Sequence, residues 1–429
     1  MAFIGLITIL VFLLAVISKK LSVTTALVVI PILAGLIAGT PVKQLGSIML
    51  DGIKQVAPTG IMLVFAVLYF AIMLEAGLFD PIIKKIVALV GGDPLKVLMG
   101  TAILSMIVHL DGDGTATFMI VISAFLPIYE KLKIKKTYLA GIVALAVGPM
   151  HLVPWSGTSA RAISTLKTEA DLLFRPNLLP IAAGLVWVVM VAWIWGRKER
   201  KRLGVQPTLI IEADHLGDHK GLKRPRIVWL NGILTILLVG LLIKGFWPAP
   251  VLFLVASVLA LLVNYPSLPA QQQVFKLHGA AIFSVSSMIF AAGIFSGVLT
   301  GTKMIEAMSL AFVNMVPQGH ANIIPVTTAI TSMPMSLLFT PDAYYFGIVP
   351  VLAKSVSAMG MDPLQIGRAA LLGQMTVGFP LSPLTASTFL LINMTGVELG
   401  EHQKKVFPWA WATTTIMTLM ALVSGSISI

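Results

Sequence analysis

The stretch His109-Leu110-Asp111-Gly112-Asp113-Gly114-Thr115 separates two strongly apolar runs, and how it is read decides the fold. At bilayer depth a carboxylate is costly unless it lines a cavity or meets a cation, and irregular backbone survives there only inside protein or beside water. Two carboxylates beside two glycines therefore point to a transport site within a membrane protein, most simply a secondary transporter.

The rest of the chain agrees: 57% of its residues are hydrophobic and 11% charged, too apolar a balance for a water-soluble domain of 429 residues. The net charge of +12 lies in connections between apolar runs, without interleaved aromatics to stack bases. It reads as membrane orientation, with no nucleic acid as partner. The absence of cysteine removes disulfides, thiol nucleophiles and thiolate metal sites. The first apolar stretch, Phe3 to Ile17, lacks signal-peptide flanks and is expected to be a retained first helix.

Ten runs are long enough to span as helices: 3–18, 21–39, 57–77, 138–172, 177–195, 227–246, 249–264, 279–300, 364–398 and 406–428. Two pairs, 95–108 with 115–128 and 322–339 with 342–358, have shorter arms and read as re-entrant hairpins. The expected fold class is thus an all-α polytopic membrane protein with two inverted-topology repeats of about five transmembrane helices each. The first repeat is 1–195, with hairpin 95–128 and broken helix 138–172. A cytoplasmic linker follows at 196–226, and the second repeat is 227–429, with hairpin 322–358 and broken helix 364–398.

Charge tests this topology, because short loops rich in Lys and Arg stay cytoplasmic. Lys19-Lys20, Lys84-Lys85, Lys131 to Lys136, Arg197 to Arg202, Lys220 to Arg226 and Lys404-Lys405 share one side only if the first hairpin returns to the face it left. Both termini then fall outside. Weak echoes support the repeat: Phe65-Ala66 with Phe290-Ala291, Pro127 with Pro350, and Val147-Gly148 with Val377-Gly378, all at spacings of roughly 223 to 230. Within the linker, Glu212, Asp214, His215, Asp218 and His219 are polar. His215 and His219 at i, i+4 could chelate a metal, but an exposed linker is the ordinary reading.

Four interruptions carry most of the intramembrane polar atoms. His109 to Thr117 is the first hairpin's tip, and Gly148 to Arg161, with two prolines, is the first helix break. Phe339-Thr340-Pro341-Asp342-Ala343-Tyr344 is the second tip, and Gly378 to Thr388 the second break. Freed carbonyls and hydroxyls favour cations, whereas a new helix N-terminus favours anions. Arg161 adds a planar fork suited to a carboxylate. Asp111, Asp113 and Asp342 around one cavity would repel a bare polycarboxylate. That conflict disappears if the cargo carries its own divalent cation, or if the aspartates are protonated on binding. Oxygen-only surroundings suit Mg²⁺ or Ca²⁺.

The expected site has Arg161, Ser156, Thr158, Ser159, Ser382, Thr385, Ser387, Thr388 and His151 on the substrate. Asp111, Asp113, Asp342 and His109 would couple protons or cations, with the three aspartates as candidate metal ligands through the cargo's ion. Each has a structural alternative. Asp113 and Asp342 could cap helices, the histidines could satisfy buried carbonyls, Arg161 could snorkel or pair with Glu169, and the hydroxyls could bond their own helix. Gly293, Gly297 and Gly301 should allow close helix packing, and Trp155 and Trp409 read as interfacial or packing residues.

Eight stretches spread over nearly the whole length carry a specific resemblance: Gln55-Val56-Ala57-Pro58-Thr59, Gly92-Asp93-Pro94-Leu95-Lys96, Leu110 to Thr115, Val153-Pro154-Trp155, Glu199-Arg200-Lys201-Arg202-Leu203-Gly204, Asp342-Ala343-Tyr344-Tyr345-Phe346-Gly347, Ile366-Gly367-Arg368 and Leu381-Ser382-Pro383-Leu384. With these the sequence resembles the citrate-metal:proton symporter family of bacterial transporters. The resemblance implies uptake of citrate complexed with Mg²⁺ or Ca²⁺, driven by protons, across the bacterial cytoplasmic membrane. It also implies inverted halves with re-entrant hairpins, a homodimer, and a site at Asp111, Asp113, Asp342, Arg161 and Ser382. The chain departs from the family pattern at Ser156-Gly157-Thr158-Ser159-Ala160-Arg161, where a Gly-Gly-Pro-Thr-Pro-Arg-like run is expected, and at His151 and Gly378-Phe379-Pro380. Two other readings on the same fold are a cation:proton antiporter and a carrier of another organic acid. No phosphate loop, zinc-protease motif or nucleophile elbow supports an enzyme.

Overall fold

The computed structural model describes residues 1–18, 20–206, 222–315 and 321–428, and every regular element among them is helical. The polar linker residues Glu212, Asp214, His215, Asp218 and His219, with the metal reading of the two histidines, lie outside the described residues.

Two helices of 34 residues, Val42–Glu75 and Leu268–Gly301, form the central seam. They begin well before the apolar runs at 57 and 279, because polar residues ahead of a span continue its helix beyond the hydrocarbon. Gly52 faces Gly293 and Gly297, and a Cβ on Gly52 would collide with the Gly293 carbonyl. Gly301 rests on Ile48. The repeated glycines thus admit a neighbouring backbone, as their four-residue spacing predicts.

The first hairpin consists of Pro94–Val108, a 3₁₀ turn at His109–Asp111, and Gly114–Lys131. Thr101 Oγ1 and the Tyr129 hydroxyl, 3.2 Å apart, tie its arms near the open end. Counted with its turn, the first arm reaches 18 residues and is apolar enough to qualify as a short span, longer than the sequence reading allowed. In the second hairpin, Ile323–Met335 leads to a turn, a π-helix at Ala343–Ile348 and Val349–Ala358. A π-turn is rare and often marks a functional position.

The first broken helix comprises Lys136–Met150 and Gly157–Leu166. It ends earlier than position 172, since Lys167 adopts a left-handed backbone at φ 53° and Ala170–Phe174 starts the following span. All residues from Thr137 to Met150 are buried, so this helix is sheathed by protein. By contrast Trp229, Ile233, Ile236 and Leu237 of Val228–Lys244 are exposed, an apolar face suited to lipid. The second broken helix is Leu364–Leu371 and Ala386–Thr395, joined by turns and a 3₁₀ piece at Phe379–Leu381.

Basic segments collect at one end. Arg202 Nη2 donates to the Lys133 carbonyl at 2.9 Å, and Lys405 Nζ lies 4.7 Å from the Tyr138 ring centre and 5.2 Å from that of Trp195. Lys223 pairs with Asp80 at 3.0 Å, one turn before Lys84. Asp93 caps the first hairpin arm and pairs with Arg200, which holds its carboxyl below the usual range. The open end of the first hairpin therefore belongs to the basic face.

Candidate functional site

The tip of the first hairpin is seated on both helix breaks. Gly112, at φ +76°, turns its Cα toward the first break: a Cβ there would meet Trp155 Cδ1 at 3.2 Å and Ser156 Cα at 3.3 Å. The Trp155 indole donates to the Leu110 carbonyl at 2.8 Å. On the other side Gly114 abuts the Phe379 ring, and Thr115 Oγ1 lies 3.2 Å from Ser387 Oγ. A side chain at Gly114 would collide with the Phe379 ring, and the positive φ of Gly112 disfavours one there.

Asp111 Oδ1 accepts from the Asp113 amide at 2.9 Å, and Asp113 Oδ1 accepts from the Thr115 amide at 2.9 Å. Both carboxylates thus shape the turn, and Asp113 caps the helix as its structural alternative required. Asp113 is nevertheless exposed and Asp111 half-exposed, so oxygen lone pairs remain open to a guest.

Beneath the tip, His109 Nδ1 meets Thr117 Oγ1 at 2.9 Å and His109 Nε2 meets His151 Nδ1 at 2.8 Å. The His151 ring stacks on Phe379, with centroids 5.0 Å apart. The two breaks touch directly: Gly148 packs on Val377, and Thr158 Oγ1 donates to the Met375 carbonyl at 2.9 Å.

Most nominated hydroxyls already donate to backbone. Ser156 Oγ bonds the His151 carbonyl at 2.6 Å, Ser159 Oγ that of Leu152 at 3.2 Å, Ser382 Oγ that of Ser336 at 2.6 Å, and Thr388 Oγ1 that of Phe379 at 3.0 Å. Thr385 Oγ1 lies 2.7 Å from Thr388 Oγ1. A hydroxyl whose proton is committed offers lone pairs only, which suits a cation better than an anion. At the start of Gly157–Leu166 the Ser159 amide is taken by Ser156 Oγ, leaving the Gly157 and Thr158 amides as that helix's open donors.

Arg161 and Asp342 find each other across the molecule. Arg161 Nε donates to Asp342 Oδ1 at 2.7 Å, Nη1 to the Gly157 carbonyl at 2.8 Å and Nη2 to Met288 Sδ at 3.0 Å. One structural alternative is set aside here. The acidic partner of Arg161 is Asp342 and not Glu169, because the second hairpin reaches the first broken helix. Among the described residues no group of three or more His, Cys, Asp or Glu is arranged to hold a metal ion by itself. Asp342 is spent on a guanidinium.

Several positioning residues escaped the sequence reading. His402 Nε2 and Gln403 Nε2 hold the Pro380 and Leu381 carbonyls at 2.9 Å each, and the Tyr345 hydroxyl donates to the Gln374 carbonyl at 2.9 Å. Ser336 Oγ accepts from the Met375 amide at 2.9 Å. The available signal was that a proline break frees carbonyls which need donors. Glu401-His402-Gln403 beside two lysines reads as surface, yet His402 is fully buried.

Multiple spanning helices around two buried, interlocked helix breaks define a membrane transporter. A citrate transporter family profile matches residues 12–373. The chain is 46% identical to a "Citrate transporter" of Bacillus subtilis (strain 168), covering all of both chains, and 44% identical to a "Mg(2+)/citrate complex secondary transporter" of the same organism, covering 100% of this chain and 99% of that one. Among solved structures it is similar in fold to the YdaH transporter of Alcanivorax borkumensis, with a TM-score of 0.58 and 15% identity over 88% of this chain and 87% of that one. The chain belongs to the citrate transporter family; it is a multi-pass membrane transporter and not an enzyme.

Proposed function

We propose that this protein takes up citrate as a complex with a divalent cation, coupled to protons, by alternating access. The carrying observation is the juxtaposition of opposite chemistries: the acidic tip, with Asp113 exposed and Asp111 half-exposed, packs through Gly112 on Ser156, the cap of the helix that carries Arg161. The tip carboxylates and committed hydroxyls suit the metal ion, while Arg161 and the open amides of Gly157 and Thr158 suit free carboxylate oxygens. The names of the two Bacillus relatives support citrate and Mg²⁺ as cargo.

Proton coupling would fall to the tip, where the Asp111 and Asp113 carboxylates share one turn and each accepts a backbone amide. Alternating access is supported by the recurring order of 34-residue helix, hairpin, broken helix and long terminal helix. The two series meet at Gly148 with Val377 and at Arg161 with Asp342. Pure cation:proton exchange gains nothing from a guanidinium held at the centre, which favours the carboxylate reading.

The test is uptake of labelled citrate into proteoliposomes under an imposed pH gradient, with and without Mg²⁺ or Ca²⁺. Dependence on both metal and gradient is expected. Equal uptake with all divalent ions chelated would falsify the metal-complex reading. Loss of gradient-driven accumulation in D113N, with citrate exchange retained, is the expected sign of proton coupling at the tip.

A further inference from the structure

Arg161 offers its carboxylate-binding edge, Nε with Nη2, in a half-filled state. Asp342 occupies Nε at 2.7 Å, and among the described residues the partner of Nη2 is the thioether of Met288 at 3.0 Å. Sulfur is a weak acceptor, easily replaced by a carboxylate oxygen, whereas the aspartate is not. With 13% of the Arg161 side chain and 6% of the Asp342 side chain exposed, solvent screens the pair poorly. A guest carboxylate approaching Nη2 therefore meets a guanidinium whose charge is already cancelled. The acidic tip packs through Gly112 on Ser156, the cap of the same helix.

We propose that Asp342 determines which charge form of the cargo is accepted. Resting on the metal-citrate reading above, this assigns the discrimination to one residue. Asp342 removes the positive charge that would hold a fully ionised tricarboxylate. The form that fits is one in which a bound divalent ion has cancelled all but one negative charge. Met288 yields its place on Nη2 to one carboxylate oxygen of the cargo, and Asp342 stays in place as the repulsive element that rejects the metal-free anion.

The experiment is citrate counterflow in proteoliposomes, which needs no driving force, with excess Mg²⁺ or with a chelator, for wild type, D342N, D342S and D342E. The neutral variants should raise metal-free relative to Mg²⁺-dependent transport roughly tenfold, the scale of one poorly screened charge interaction. D342E should keep the wild-type ratio. A neutral variant that is folded but does not transport is assayed by thermal shift with Mg²⁺-citrate and with metal-free citrate. The same change in preference is expected there, and absence of both responses would overturn the assignment. An unchanged ratio, or failure of both neutral variants to fold, would also overturn it. Wild type that transports equally well without metal would defeat the metal-complex reading itself, independently of any variant.

Discussion

His109 Nε2 and His151 Nδ1 lie 2.8 Å apart with both side chains buried, and the surrounding bonds fix the tautomers. Thr117 Oγ1 donates to the Asp113 carbonyl at 3.0 Å, so it accepts from His109 Nδ1. His109 Nε2 is then an acceptor and His151 Nδ1 the donor. One chain of hydrogen bonds thus runs from the acidic tip into the first helix break.

Breaking that chain at one member strands a buried polar nitrogen. H151F, whose ring can keep the stacking on Phe379, should lower stability by about 1–3 kcal/mol. The double variant H109L/H151F should lose less than the sum of the single variants, because it removes both partners. Thermal unfolding of the purified protein in detergent measures both; additive losses would mean the two rings do not act as a unit.

Arg161→Ala should abolish citrate uptake while leaving the protein inserted, and Arg161→Lys should recover only a small part of it. A lysine keeps the charge but cannot bond Asp342, the Gly157 carbonyl and a guest from one planar group. Uptake rates normalised to inserted protein decide the matter. Wild-type transport in the lysine variant would show that charge alone suffices.

Two glycines on one helix should respond oppositely to alanine. A Cβ at Gly52 runs into the Gly293 carbonyl, so G52A should cost about 1–3 kcal/mol through overpacking. Gly46 has nothing within contact of an added Cβ, so G46A should be neutral or raise the melting temperature slightly. Equal effects in a melting comparison would refute the seam.

At the basic end, Arg200 bonds hold the Asp93 carboxyl below its usual value of 3.8. A depressed folded value means the pair stabilises above the ordinary carboxylate range, and that contribution is lost as pH falls through the folded value. Acid should therefore loosen the base of the first hairpin. D93N should be less stable than wild type at neutral pH and lose less on going below about pH 4, where unfolded carboxyls protonate. Parallel pH-melting curves for the two proteins would exclude this role.

The membrane class, the hairpin tip at Asp111 to Gly114, both helix breaks and the glycine seam were legible from the chain alone. Each rests on local facts: hydropathy over a span, prolines that cannot continue a helix, and glycines at helical spacing. The shared face of Lys133, Arg202 and Lys405 followed from orientation rules in the same way. Tertiary structure alone decided who meets whom. The sequence placed these groups in one site but did not pair Arg161 directly with a carboxylate 181 positions away, nor His109 with His151. Nor could spacing tell that Ser156, Ser159, Ser382 and Thr388 commit their protons to backbone. Partner choice among buried polar groups depends on which segments the packed helices bring within about 3 Å, a hydrogen bond's length, and the sequence does not encode that separation locally.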